Sequence, residues 1–245
     1  MTQKIAIITG ASRGIGKIVS ECLAKKNYFV ILVARNKKML EINCNHIVAS
    51  GGKAVYYVVD VTKPDKIKAC IEAVIKKYKR IDFLFNNAGI GRVGTTDITD
   101  QELVAVLDIN LKGAIFFAKY AASQMKQQKS GYIINLSSLS GKVSSSTLGA
   151  YNASKFGLNG FSEALSKEMS ASGVKVTTIC PGMVATDMTA DFNFKQEWMI
   201  QPSDIAITVD YLLSLSANAL PMEVVIHCVP FVEKMSVAEA KIFGD

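Results

Sequence analysis

The strongest constraint on the fold is a regular alternation of short, almost wholly apolar segments with longer amphipathic ones. The apolar segments are 4–9, 29–33, 54–59, 83–86, 132–136, 175–180 and 224–228, and the amphipathic segments are 15–26, 37–49, 64–78, 100–127, 150–172 and 202–215. Strands that are apolar on both sides are typical of a parallel sheet covered by helices on both faces. The pattern therefore predicts one doubly wound α/β domain over residues 1–245, with a seven-stranded, mostly parallel sheet.

The composition excludes several other classes of protein. Apolar residues make up 49% and charged residues 20% of the 245 residues, which excludes disorder and coiled coil. No uninterrupted apolar run approaches the ~18 residues of a membrane-spanning helix. The five cysteines are scattered without CxxC spacing, and there are only two histidines. This predicts reduced thiols in a cytoplasmic protein and no metal site.

A glycine-rich turn follows the first predicted strand directly. Residues 9–16 are TGASRGIG and precede the first predicted helix. Glycines let a pyrophosphate approach the backbone N–H groups at the positive end of a helix. A tight turn without a ligand would also use glycines, but the position at the first strand of a βαβ unit favours a dinucleotide site.

The end of the second predicted strand indicates which dinucleotide is bound. NAD-preferring sites usually place a carboxylate about 20 residues after the glycines. This chain has Ala34-Arg35-Asn36 instead, and Arg13 in the glycine turn supplies a second positive charge. Two arginines on a basic protein could simply be solvated, but both fall where a 2′-phosphate would lie, and a guanidinium binds phosphate bidentately. The sequence predicts NADP(H).

A serine, a tyrosine and a lysine form the candidate catalytic group. Ser138 follows the fifth predicted strand, and Tyr151 and Lys155 lie four residues apart at the start of the next helix, so they share one helix face. A phenol has a pKa near 10, and a nearby ammonium favours the phenolate and brings that pKa towards the working range. A Tyr–Lys pair alone is usually surface packing. Together with the nucleotide turn, it predicts proton transfer to a substrate carbonyl.

In these motifs the chain resembles the short-chain dehydrogenases/reductases, from 9–16 to at least 181–186. The landmarks occur in the family's order: the glycine turn, Asp60-Val61, Asn86-Asn87-Ala88-Gly89, a serine paired with Tyr-x-x-x-Lys, and Pro181-Gly182. The resemblance implies a Rossmann-type fold and a homodimer or homotetramer built on the helices at 100–127 and 150–172. Apolar positions beyond the needs of one sheet face also favour such an assembly, namely Phe116, Phe117, Phe156 and Phe161.

The resemblance also implies a role for each matching residue. Tyr151 is the general acid, Lys155 binds the nicotinamide ribose and lowers the pKa of Tyr151, and Ser138 orients the carbonyl. Ser137 and Ser140 are expected to make local hydrogen bonds only. Asn110 matches the asparagine that holds a water in the proton relay; as a mid-helix Asn it could also bond or kink the backbone. The implied cofactor-binding residues are Gly10, Ser12, Arg13, Gly14, Ile15, Gly16, Arg35, Asn36, Asp60, Val61, Asn87, Ala88, Gly89, Tyr151, Lys155, Pro181, Gly182, Val184 and Thr186.

Residues 183–200 match the family's variable substrate loop. They include Met183, Met188, Phe192, Phe194, Trp198 and Met199. Two interpretations stay open: a flap that packs its own side chains, or a lid over an apolar carbonyl substrate. The tail at 231–245 is unlike the family's usual short ending, and the sequence does not assign it a role.

The nearest pattern within the family is that of 3-oxoacyl-[acyl-carrier-protein] reductases, which suggests a carrier-bound or small-molecule carbonyl substrate. The charge of +7, from 28 Lys and Arg against 21 Asp and Glu, would suit an acidic carrier protein. The last predicted strand lacks the Val-Asp-Gly-Gly ending common in those reductases, so a general ketone or aldehyde reductase stays open. A non-catalytic NADP-binding module is the third hypothesis. Nucleic-acid binding has no supporting motif.

Overall fold

The computed structural model describes residues 3–190, 194–230 and 232. A seven-stranded sheet in the order β3-β2-β1-β4-β5-β6-β7 forms its centre, and every neighbouring pair of strands is parallel. This confirms the predicted doubly wound α/β fold. The strands are β1 (Ile5–Thr9), β2 (Phe29–Ala34), β3 (Lys53–Val58), β4 (Phe83–Asn86), β5 (Gly131–Leu136), β6 (Val174–Pro181) and β7 (Glu223–Ile226).

Helices connect the strands and cover both faces of the sheet. They are α1 (Gly14–Lys25), α2 (Lys37–Ala49), α3 (Pro64–Tyr78), α4 (Asp100–Leu107), α5 (Ala114–Gln128), α6 (Gly149–Ser170) and α7 (Pro202–Ser214). Helices α1, α2 and α7 bury apolar side chains against one face. Helices α3, α5 and α6 do so against the other. The five central strands are thus buried on both sides, which explains their continuous apolar runs, whereas the edge strands β3 and β7 are partly exposed.

The predicted helix over 100–127 is interrupted in the structure. A π-helical segment, Asp108–Gly113, separates α4 from α5. Two contacts account for this change of winding. The side chain of Asn110 is bonded to the backbone of Ile90, and a Cβ on Gly113 would lie 2.8 Å from the carbonyl oxygen of Val61. The wider turn lets this segment approach the sheet edge closely.

The last strand is shorter at its end than predicted. It stops at Ile226, although the apolar run continues to Cys228. Its neighbour β6 ends at Pro181, and the N–H of Gly182 makes the last bond between them, to Ile226 O. Strand β7 therefore ends at Ile226 because β6, the strand it pairs with, ends at Pro181.

The connections diverge between β1 and β4, which opens a crevice at the carboxyl edge of the sheet. Ligands of open α/β sheets bind at such a point. Thr9, at the end of β1, closes the base of the crevice: its hydroxyl accepts from the backbone N–H groups of Asn87 and Ala88 at 3.0 and 3.1 Å. The glycine turn and the segment after β4 are therefore held side by side.

No helix in the described ranges has the length and apolarity to cross a membrane. No group of His, Cys, Asp and Glu side chains in that part of the chain is arranged to hold a metal ion. The five cysteines are free thiols. The predicted tail at 231–245 lies outside the described residues except for Val232.

Candidate active site

The glycine turn between β1 and α1 leaves no room for side chains at two positions. Gly10 has a positive φ of 65°, which side-chain-bearing residues rarely adopt. A Cβ on Gly16 would lie 2.4 Å from the carbonyl oxygen of Gly10 and 2.6 Å from Nδ2 of Asn87. The first turn of α1 can pack this closely only because both residues are glycine.

Two carboxamides, that of the half-buried Asn87 and that of the buried Asn43, hold the carbonyl groups of this turn. Nδ2 of Asn87 donates to the carbonyl oxygens of Thr9 and Gly10, at 3.0 and 3.2 Å. Nδ2 of Asn43, on α2, donates to those of Ala11 and Ser12, at 2.9 and 3.0 Å. Sequence reasoning found Asn87 through the family motif but missed Asn43. The signal available was a polar residue inside the apolar face of a helix.

The groups left open at the turn fit the phosphates of a dinucleotide. Within the described residues, the backbone N–H groups of Ser12 and Arg13 donate to no other group. They stand at the N-terminus of α1, where the helix dipole favours an anion. Gly14, Ile15 and Gly16 form the first turn of that helix, so their N–H groups lie where a helix has no internal partners.

The two predicted arginines both lie exposed near this turn. Nη1 of Arg13 is 3.0 Å from a carboxylate oxygen of Asp187, and the side chains are 72% and 68% exposed. An ion pair this exposed contributes about 0–1 kcal/mol, so Arg13 can exchange it for a phosphate at small cost. Arg35 follows β2 and lies close enough to Asp60 to help lower the pKa of that carboxyl group.

Two other predicted cofactor-binding residues, Asn36 and Asp60, make side-chain hydrogen bonds within the protein. Asn36 is the N-cap of α2, and its side chain accepts from the N–H of Met39 at 3.1 Å. Asp60 accepts from the N–H and hydroxyl of Thr62, at 3.0 and 2.9 Å. Burial raises the pKa of Asp60, but these two hydrogen bonds with Arg35 and Lys63 outweigh it, and the pKa is lowered overall. Both side chains thus shape the rim of the crevice.

Asn110 lies in the π-helical segment, and both the oxygen and the nitrogen of its side-chain amide are hydrogen-bonded. Its Oδ1 accepts from the N–H of Ile90 at 2.8 Å, and its Nδ2 donates to the carbonyl of Ile90 at 2.9 Å and to Ser154 Oγ at 3.2 Å. The structure thus bears out the bonding of the backbone by a mid-helix Asn. The role of Asn110 in holding a water of a proton relay stays a prediction.

Ser138, Tyr151 and Lys155 lie together at the carboxyl edge of β5. Nζ of Lys155 is 5.6 Å from the ring centre of Tyr151 and donates to the carbonyl oxygen of Leu136 at 2.9 Å. The hydroxyl of Ser138 lies close enough to that of Tyr151 to lower the pKa of the phenol. Ser137 donates to the backbone of Lys155 at 3.3 Å, and Ser140 bonds to Ser138 through its N–H. The sequence-predicted group is therefore brought together.

The protonation of this group differs from the sequence-based expectation. Burial raises the pKa of Tyr151, and the hydrogen bond to Ser138 lowers it, with a raised pKa as the result. Burial lowers the pKa of Lys155 to about 8, although the electrostatic effect of Cys180 acts to raise it. The expected lowering of the Tyr151 pKa by Lys155 was wrong for this structure: burial outweighs the opposing effect of Ser138, and the charge of Lys155 is not among the causes of the shift. A raised pKa keeps the phenol protonated and able to donate a proton at neutral pH.

The lowered pKa of Lys155 predicts a pH-dependent stability. Between about pH 8 and the unfolded value, the folded state binds fewer protons than the unfolded state, so stability rises with pH. From about pH 7 to about pH 9.5, wild type should gain about 2 kcal/mol in the free energy of unfolding relative to Lys155→Met. Urea unfolding of both proteins at the two pH values measures this. A difference independent of pH would contradict it.

The segment after β6 approaches the glycine turn from the other side. A Cβ on Gly14 would lie 3.3 Å from the methyl group of Thr186. Val184 is buried and forms a parallel bridge with Ile200. Pro181 and Gly182 end the strand that leads into this segment. The predicted nicotinamide-side residues therefore lie beside the turn.

The substrate loop at 183–200 is described except for 191–193, so the predicted Phe192 lies outside the described residues. Phe194 and Trp198 pack edge to face with ring centres 5.6 Å apart. Met199 is buried, whereas Met188 is 45% exposed and lies near Gly91. The loop thus packs some of its own side chains and leaves others exposed, so both interpretations stay open.

The parallel sheet, the glycine turn and the neighbouring Tyr151–Lys155 pair define the class of α/β proteins that bind a dinucleotide at the carboxyl edge of the strands. The family model for short chain dehydrogenases matches residues 4–197. The chain therefore belongs to the short chain dehydrogenase family and is an oxidoreductase.

Three relatives illustrate the likeness. A 3-oxoacyl-[acyl-carrier-protein] reductase of Synechocystis sp. is 34% identical over 228 residues, which cover 89% of this chain and 92% of the relative. The crystal structure of a metagenomic short-chain oxidoreductase in complex with NADP is 33% identical, with a TM-score of 0.82 and coverage of 93% and 98%. A betaketoacyl-[ACP] reductase from Bacteroides thetaiotaomicron is 34% identical, with a TM-score of 0.84 and coverage of 95% and 100%.

Proposed function

We propose that this protein is an NADPH-dependent reductase that converts a carbonyl compound to a secondary alcohol. The observation that carries the proposal is the grouping of Ser138, Tyr151 and Lys155. The phenol of Tyr151 lies close to the hydroxyl of Ser138 and beside Lys155, at the sheet edge that also holds the open glycine turn. A general acid, a hydroxyl that can hold a carbonyl oxygen, and a nucleotide turn are the parts that such a reduction needs.

The proposed roles follow from the protonation of the group. When bound, NADPH supplies the hydride that reduces the carbonyl carbon. Ser138 holds the carbonyl oxygen, and Tyr151 gives it the proton, so carbonyl, hydride and proton yield the alcohol. Below about pH 8 the buried Lys155 is an ammonium, and its proposed role is to bind the nicotinamide ribose.

NADP(H) is the proposed cofactor because of the charges around the turn. Arg13 and Arg35 are both exposed there, and Arg13 is held by an exposed ion pair with Asp187. The metagenomic relative, with 33% identity, is in complex with NADP. The other proposed contacts are the N–H groups of the turn, Asp60-Val61, Asn87 to Gly89, Lys155 and the 181–186 segment.

A 3-oxoacyl thioester is the proposed substrate class. Two relatives at 34% identity are named as reductases of that class. The exposed Met188 near the crevice offers an adaptable apolar contact for an acyl chain. A general ketone or aldehyde reductase is the second candidate, favoured by β7, which reads EVVI and continues to His227-Cys228 rather than to Asp-Gly-Gly.

A substrate panel tests the function and separates the candidates. Consumption of NADPH is followed with 3-oxoacyl thioesters of several chain lengths, simple ketones and aldehydes. We expect turnover of the thioesters, with kcat/KM above that of the simple ketones. Turnover of ketones alone would support the second candidate. NADPH binding without turnover of any carbonyl would contradict the proposal and support a non-catalytic module.

We also propose that the protein works as a homodimer or homotetramer in the cytoplasm. On α6, Phe156 is 43% exposed, and Oδ1 of the buried Asn152 has no hydrogen-bond partner in the described ranges. Phe117, by contrast, is fully buried in the core, and the partly buried Phe116 and Phe161 pack against that core. Of these four phenylalanines, Phe156 alone is strongly exposed. We expect a dimeric or tetrameric mass by light scattering; a monomeric mass at micromolar concentration would contradict the assembly.

A further inference from the structure

Asn43 is a buried polar residue on the apolar face of α2. It is 2% exposed, and the other buried residues of this helix are Leu40, Cys44 and Ile47. Asparagine disfavours helix interiors because its side chain competes for backbone groups. An apolar side chain would serve better if this position only filled the core. A contact specific to the amide must therefore account for it.

That contact is with the glycine turn. Nδ2 of Asn43 donates to the carbonyl oxygens of Ala11 and Ser12, at 2.9 and 3.0 Å. Carbonyl oxygens can only accept, so the group that faces both must be the amide NH2. Among the described residues, no other side chain of α2 is hydrogen-bonded to the turn.

These bonds orient the part of the turn that faces a ligand. Each peptide unit is planar and trans, so its C=O and its N–H point in opposite directions. When Asn43 holds the carbonyls of Ala11 and Ser12, it turns the N–H groups of Ser12 and Arg13 away from α2. Asn87 does the same for the preceding half of the turn, at Thr9 and Gly10.

The same bonds also fix the spacing between two cationic segments. Arg35 lies immediately before Asn36, the N-cap of α2, and Arg13 immediately follows the carbonyl of Ser12 that Asn43 holds. Linking α2 to the turn therefore sets the distance between the two chain segments that present the guanidinium groups. A site whose donors are preset binds more tightly, because less freedom is lost on binding.

We propose that Asn43 is a positioning residue for cofactor selection, which aligns Ser12 and Arg13 with Arg35 so that a nucleotide carrying a 2′-phosphate is preferred. The inference rests on the NADP(H) preference proposed above. Asn43 does not touch the reacting atoms and acts only through the backbone of the turn.

The test is the ratio of the dissociation constants for NADH and NADPH, measured by calorimetry on the intact protein. In Asn43→Leu, which keeps the side-chain volume and removes the donors, we expect the ratio to fall by about tenfold. With saturating NADPH, kcat should stay within about threefold of wild type. Asn43→Ser, too short to hold both carbonyls, should show the same direction if the leucine variant is unstable.

Cys44→Ala is the matched control, because Cys44 lies on the same buried face and makes no bond to the turn. It should lower the thermal midpoint and leave the ratio unchanged. In an Arg13→Ala background, Asn43→Leu should change the ratio little further. An unchanged ratio, or an equal weakening of both cofactors, would overturn the role of Asn43.

The outcomes separate this inference from the proposed function. If wild type shows no preference for NADPH, both the selectivity and the role of Asn43 fail. If wild type prefers NADPH and the Asn43 variants keep that preference, only the role of Asn43 fails. If no carbonyl is reduced, the reductase proposal fails, while the binding ratio still decides on Asn43.

Discussion

Tyr151→Phe is expected to lower kcat for carbonyl reduction by about 10²–10⁴-fold, the range that a positioned general acid contributes. The substitution removes the hydroxyl that lies close to Ser138 and leaves the ring beside Lys155 in place. Because the pKa of Tyr151 is raised, this phenol holds its proton at neutral pH, and phenylalanine has none to give. Steady-state kinetics with saturating NADPH measure the loss.

Cofactor binding separates a loss of chemistry from a loss of structure. The dissociation constant for NADPH in Tyr151→Phe should stay within about threefold of wild type, since the acid acts on the substrate. Tyr120→Phe is the matched control, because it removes a phenol that stacks on Phe116 in α5, away from Ser138. A Tyr151→Phe enzyme with near wild-type kcat would refute the assigned acid.

The second large effect is expected at the two arginines. In Arg13→Ala/Arg35→Ala, we expect the dissociation constant for NADPH to rise by at least about 100-fold, because each hydrogen-bonded contact with a charged group contributes about 1.5–3 kcal/mol. Binding of NADH should change by less than about threefold, since it has no 2′-phosphate. Calorimetry with both cofactors measures the two effects.

A control variant that loses the same net charge separates the effect of direct contacts with the cofactor from the effect of the protein's overall electrostatic field. Arg92→Ala/Lys167→Ala removes two exposed cations that pair with Glu102 and Glu163. It should leave the preference for NADPH intact. Equal losses in the two double variants would mean that net charge, rather than Arg13 and Arg35, attracts the cofactor.

Sequence reasoning predicted the fold well because the fold depends on patterns that are local along the chain. Apolar runs and amphipathic periods placed the seven strands, and TGASRGIG placed the turn after β1. The interruption at Asp108–Gly113 was not predicted, because it depends on long-range contacts of Asn110 with Ile90 and of Gly113 with Val61. A hydrophobic period cannot reveal such contacts.

The sequence predicted which residues form the candidate site, but it did not predict all of their chemistry. Spacing and family motifs found Ser138, Tyr151 and Lys155, which the fold brings together. The direction of the Tyr151 pKa was missed, because it depends on how deeply the pair is buried. Asn43 was missed because its role appears only when α2 is packed against the glycine turn. Burial and contacts between distant segments are the properties that a linear pattern does not contain.

The most direct test of the central claim is isotope transfer from the cofactor. NADPH carrying deuterium at its transferable position is incubated with the protein and a 3-oxoacyl thioester, and the product is examined by mass spectrometry. We predict an alcohol with the deuterium on the former carbonyl carbon, formed far more slowly by Tyr151→Phe. No labelled alcohol from this substrate or from any ketone, despite tight NADPH binding, would contradict the account.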